Sequence, residues 1–126
     1  MFNKMIRWLS VSGCIIILTG CSTSFSVPSF LSRLQQGDKQ IGWTLSYFDS
    51  WKRDRQPRYL KLAEDHILTA IDIYASLESQ TSPRINEFYV IRDRKARSCR
   101  LLSEIQFDAI NFGYNLSGQS PEGCAF

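Results

Sequence analysis

The chain is short of the residues from which catalytic and metal sites are usually assembled. It has one histidine, His66, among 126 residues, and none of its four cysteines stands at a zinc-ligand spacing from another. Paired-carboxylate motifs, glycine-rich phosphate loops and a nucleophile elbow are missing too. The expectation is therefore a protein with no metal, no cofactor and no enzymatic activity. Asp65 beside His66 does not change this, because helix neighbours point about 100° apart and do not pair. A long hydrophobic run is also lacking. Residues 8–19 make a 12-residue apolar stretch broken by Ser10, Ser12 and Gly13, whereas a membrane-spanning helix needs about 20 mostly apolar residues. Charge of one sign is scarce as well: 15 basic against 12 acidic residues makes no case for a nucleic-acid partner.

What is present begins at the amino terminus. Lys4 and Arg7, with no acid near them, precede an apolar run containing Ile15, Ile16, Ile17 and Leu18, and the run closes on the small residues Thr19 and Gly20 before Cys21. A positive n-region, an apolar h-region and small residues at a cut are the layout of a secretory signal. The quartet Leu18-Thr19-Gly20-Cys21 resembles the lipobox of bacterial lipoproteins. The resemblance covers about the first fifth of the chain and names no family within that class. It implies cleavage between Gly20 and Cys21, a diacylglyceryl thioether on the Cys21 sulfur, and a further fatty acid such as palmitate on the new amino terminus. Two or more acyl chains anchor stably where one is marginal. The competing reading is an uncleaved signal anchor. Ser22 follows the cysteine where an aspartate would mark inner-membrane retention in enteric bacteria, which resembles lipoproteins of the outer membrane.

If residues 1–20 leave, 106 of the 126 remain, enough for one small domain. Lys4 and Arg7 leave with them, so 13 bases face 12 acids and the formal charge falls to +1. Cys14 goes with the leader and Cys21 takes the lipid. Cys99 and Cys124 are then two cysteines in an exported chain, and a disulfide between them is expected, the alternative being two free thiols. Closing a loop of 25 positions is worth about 3–4 kcal/mol on the chain-entropy model.

Three regions are expected: a leader at 1–20, a lipidated cysteine and tether at 21–29, and a helical domain at 30–126. Residues 22–29 are small and polar and include Pro28. A short helix at Phe30, Leu31 and Leu34 is expected to stop at Gly37. From 39 to 55 two readings compete. Ile41, Leu45 and Phe48 at helical spacing behind an Asp38 N-cap suit a helix, while alternating Ile41, Trp43, Leu45 and Tyr47 suit a strand. Length and Asp38 favour the helix, which ends at Gln56-Pro57.

Residues 57–80 carry the clearest signal. Leu60, Ala63, Ile67, Ala70, Tyr74 and Leu77 step by three and four, with a second apolar line through Tyr59, Leu62, His66 and Ile73. A helix apolar on two faces is the central one of a bundle. A further helix is expected over 84–112, capped by Ser82 before Pro83 and ended by Gly113. Lys95 and Ser98 interrupt its stripe, so a kink or two shorter helices are open alternatives. The fold expected is all-α, a bundle of three or four helices.

Two basic clusters stand out, one at Lys52, Arg53, Arg55 and Arg58, the other at Arg92, Arg94, Lys95, Arg97 and Arg100. Near an anionic membrane each basic residue is worth about 1 kcal/mol. Aromatic residues anchor protein interfaces. Arg92, Arg94, Lys95, Arg97, Trp43 and Trp51 are therefore the candidate lipid-facing or partner-facing residues, the alternatives being a solvated helix face and core packing. The functional expectation is an accessory or adaptor lipoprotein of an envelope complex, like the pilotins of secretion pores in size and plan only. Two others compete with it: a self-acting lipoprotein that excludes incoming plasmids or phages, and a small envelope hydrolase.

Overall fold

The structure is a computed structural model that describes residues 26–118 and 120–124. Cys21, the lipobox and the proposed cleavage site lie outside the described residues. The chain divides into two units, Met1–Leu31 and Ser32–Phe126, and the side-chain contacts described below lie within the second. No strand occurs among the described residues. Three helices do: α1 (Ser26–Asp54), α2 (Pro57–Gln80) and α3 (Asn86–Asn111), followed by a 3₁₀ turn at Glu122–Cys124. Two residues link α1 to α2 and five link α2 to α3, so consecutive helices run antiparallel.

The central stripe of α2 is buried along its whole length: Leu60, Ala63, Ile67, Ala70, Tyr74 and Leu77 all lie in the core. Gln56 takes an extended conformation and Pro57 opens the helix, as proline at a first helical position does. Helix α3 is one continuous element of 26 residues, and the interruption of its stripe has a chemical resolution. Ser98 is buried, but its hydroxyl donates to the Arg94 carbonyl at 2.8 Å, so it needs no outside partner. Lys95 reaches sideways to Glu78 on α2 at 2.7 Å. The helix starts at Asn86, later than expected, because Ser82 caps only the preceding turn by accepting the Arg84 N–H at 3.3 Å. Its end is a Schellman motif on Gly113 at φ +75°, with Gly113 N–H donating to Ile110 and Tyr114 N–H to Ala109.

Helix α1 departs most from expectation. It is unbroken from Ser26, so residues 26–29 of the expected tether are helical, Gly37 stops nothing and Asp38 caps nothing. The reason lies on the neighbouring helices. Gly37 is buried against the Tyr74 ring, where a Cβ would stand 2.7 Å from Cε1. The Tyr74 hydroxyl donates to Asp38 at 2.5 Å, and Arg94 of α3 pairs with the other Asp38 oxygen at 3.1 Å. One side chain from each helix thus meets beside a glycine whose missing side chain makes the approach possible. Burial, and next the Asp38 bond, raise the Tyr74 pKa well above the ordinary tyrosine value.

The C-terminal segment folds back over α2 and α3. Cys99 and Cys124 form a disulfide, which holds the 3₁₀ turn on α3, and Gly123 packs against Ala75 and Ile71 of α2. A second tie uses Glu64, which is fully buried. Its Oε1 accepts the Ser117 hydroxyl at 2.8 Å and the Ser117 N–H at 3.2 Å. Lys61 lies 3.5 Å from that oxygen and pairs more closely with Asp65, at 3.1 Å. The Asp65 hydrogen bond and charge raise the Lys61 pKa.

Candidate functional site: an aromatic seam between α1 and α2

Trp43 and Tyr47 stand four residues apart on α1, so they share a face. That face flanks α2, on the opposite side of α1 from Asp38 and its α3 partner. Across the seam α2 presents Tyr59 and His66. The Trp43, Tyr47 and His66 ring centroids form a near-equilateral triangle, with sides of 6.1, 6.1 and 5.4 Å, and the planes lie within 23° of one another. Three near-parallel discs at the corners of such a triangle cannot form one column, so they lie stepped along the seam. Tyr59 extends the row, 6.4 Å from Tyr47 at 24°. Arg58 closes it, its guanidinium 5.0 Å from the Tyr59 centroid.

The row is held in place. His66 Nδ1 and Gln40 Oε1 lie 2.6 Å apart, a spacing at which the ring N–H donates to the amide oxygen and fixes the imidazole. Trp43 is nonetheless 45% exposed, and Tyr47, Tyr59 and His66 are half-buried. The seam offers a rigid, partly wet aromatic surface with few rotamers left to lose. That is how interface anchors bind without a large ordering cost.

Trp51, expected on the same surface, is instead buried completely, and its indole N–H donates to Asp108 of α3 at 3.1 Å. Eight residues from Trp43, it has rotated onto the core face. The second basic cluster is likewise divided. Arg94 and Lys95 hold α3 to Asp38 and Glu78, and Arg97 pairs with Asp93 one turn away at 3.0 Å. Arg92 and Arg100 are exposed and make no ion pair among the described residues. In the sequence Tyr47 stood out as an aromatic neighbour of Trp43, while Tyr59 and His66 belonged to an apolar line of the next helix. The signal was the four-residue spacing of Trp43 and Tyr47, but the pairing with α2 needed the helix crossing.

No group of three or more metal-ligating side chains occurs among the described residues, nor does a helix long and apolar enough to cross a membrane. Comparison with protein-family models, with curated proteins and with solved structures finds no match.

Proposed function

We propose that this chain is a bacterial lipoprotein, anchored through lipid on Cys21 to the periplasmic side of the outer membrane, whose helical domain is an adaptor. In this reading the bundle holds a partner protein of the envelope close to the membrane by docking it on the aromatic seam. The observation that carries the adaptor reading is the seam itself. Trp43 stays half exposed in a set of rings fixed by a histidine–glutamine bond, where core packing alone would have buried it. Location rests on Leu18-Thr19-Gly20-Cys21 and the basic, acid-free segment before it. Only five residue positions separate Cys21 from the start of α1 at Ser26, at most about 16–18 Å of extended chain, which keeps the partner near the bilayer.

The test is a photocrosslinking amino acid placed at position 43 in cells, followed by capture and identification of the adduct. One dominant envelope protein, lost when Tyr47→Ala is added, supports the reading. A crosslinker at position 43 that returns no adduct above a Lys39 control sinks it. Cys21→Ser should move the protein from the membrane to the soluble fraction.

A further inference from the structure

The outward face of α3 has a composition of its own. Residues 89, 92, 96, 100, 103, 107 and 110 follow steps of three and four, which at about 100° per residue places them on one stripe. It lies opposite the buried line through Ile91, Leu102, Ile105 and Ala109. Phe107 and Ile110, at 64% and 75%, are the two most exposed large apolar residues described, and Tyr89 at 58% follows them. Between these ends lie Arg92 and Arg100, the two arginines of the cluster that no acid neutralises among the described residues. Large apolar side chains at both ends of one exposed helix face, with two unpaired arginines between them, give that face both apolar contact and positive charge to offer a membrane interface.

We infer that the outer face of α3 rests on the bilayer, with Tyr89, Phe107 and Ile110 entering the headgroup region and Arg92 and Arg100 meeting anionic lipid phosphates. This rests on the lipid-anchored reading, since the tether supplies the proximity. The occupant follows from shape, charge and reach. A single helix face about 39 Å long is convex and meets a plane along its length, and no groove is involved. Its free charge is positive: Asp93 is taken by Arg97, leaving Glu104 at the edge against two arginines. Cys21 lies five residues before α1 begins at Ser26, at most about 16–18 Å of extended chain, so in the anchored reading the lipid holds the domain close to the bilayer. The orientation also fits the seam. Trp43 and Tyr47 lie on the α2 flank of α1, so a bundle resting on α3 turns the seam away from the lipid and toward a partner.

The experiment reconstitutes the lipidated chain into phosphatidylcholine vesicles containing one part in four of phosphatidylglycerol. Phe107→Trp serves as the reporter, because that side chain lies outside the core. Brominated lipid should quench the added tryptophan while acrylamide does not, and Trp43 in the unsubstituted protein should show the reverse. Arg92→Glu with Arg100→Glu should restore acrylamide access at position 107. In the unlipidated Cys21→Ser chain the same pair should weaken co-sedimentation with these vesicles at least 20-fold, since each lost arginine accounts for about fivefold. A reporter quenched by acrylamide and not by brominated lipid, in protein whose lipid is seen by mass spectrometry, overturns the bilayer contact and leaves the anchor standing. Protection from both quenchers means a second copy or another protein covers the face, which also overturns it. An unmodified Cys21 in native protein removes the anchor reading, and vesicle binding by that chain then decides the face alone.

Discussion

Trp43 and Trp51 sit two turns apart on the same helix and do opposite things. Trp51 is buried completely and meets Phe112 and Tyr114 edge to face, at 88° and 86°. Its N–H is satisfied by Asp108. Arg55 covers the corner, 5.2 Å from the Trp51 ring and 4.4 Å from Phe112. Trp43 meets its neighbours within 23° of parallel, is open on one side and has no described partner for its N–H. Edge-to-face contacts fill three-dimensional space and suit a core, whereas near-parallel rings leave faces available to something else. The contrast separates an aromatic residue that specifies the fold from one that the fold merely displays.

The sharpest way to break that contrast is to truncate both tryptophans. Trp51→Ala should destabilise the domain by about 3–5 kcal/mol in urea unfolding, through the cavity and the unpaired Asp108. Trp43→Ala should cost about 1 kcal/mol, the loss of two stacked contacts. Equal costs would mean the seam is core and would remove the basis for the adaptor proposal.

Gly37 extends the comparison to Tyr74, a buried ring with no room to move. Alanine is the better helix former by about 1 kcal/mol, yet its Cβ would overlap the ring. Gly37→Ala should therefore lower stability by about 1–3 kcal/mol, whereas Gly42→Ala, which meets nothing within 4 Å, should raise it by up to about 1 kcal/mol. A smaller effect is expected from Tyr74→Phe, about 1 kcal/mol at neutral pH for the lost bond to Asp38. Because the folded-state pKa of Tyr74 is raised, its contribution is complete below about pH 10, the unfolded value, and declines as pH climbs through the folded one. The stability gap between Tyr74→Phe and the unsubstituted protein should therefore shrink above about pH 10, and a constant gap would contradict the assignment.

The smallest effect concerns the cation over the buried corner. Arg55 adopts φ +55°, a left-handed conformation that costs a residue with a Cβ about 1 kcal/mol. Arg55→Gly relieves this and loses two cation–π contacts of similar total size. Chemical denaturation should show a change below about 1 kcal/mol.

Legibility in the sequence followed the range of the interactions. The buried line of α2, the proline that opens it and the glycine that ends α3 depend on neighbours within a few residues, and all were visible beforehand. The Cys99–Cys124 disulfide was legible through inventory, as the two cysteines left over once the expected leader and lipid site are set aside. Gly37 and Asp38 misled because glycine and aspartate are ordinary signals of helix breaks and caps. Here both are used by residues 36–56 positions away, Tyr74 and Arg94, and no local rule contains that information. Glu64 was invisible for the same reason, since only the returning C-terminal segment supplies Ser117.

By itself the sequence determined that the domain is helical, where its central helix lies and which face of it is dry, because a periodic apolar pattern admits one burial solution. The tertiary structure alone decided which aromatic and charged residues remain outside. Exposure depends on how three helices are rotated about their axes, and that rotation is chosen by contacts such as Tyr74 on Gly37 and Trp51 on Asp108, made between residues far apart in the chain.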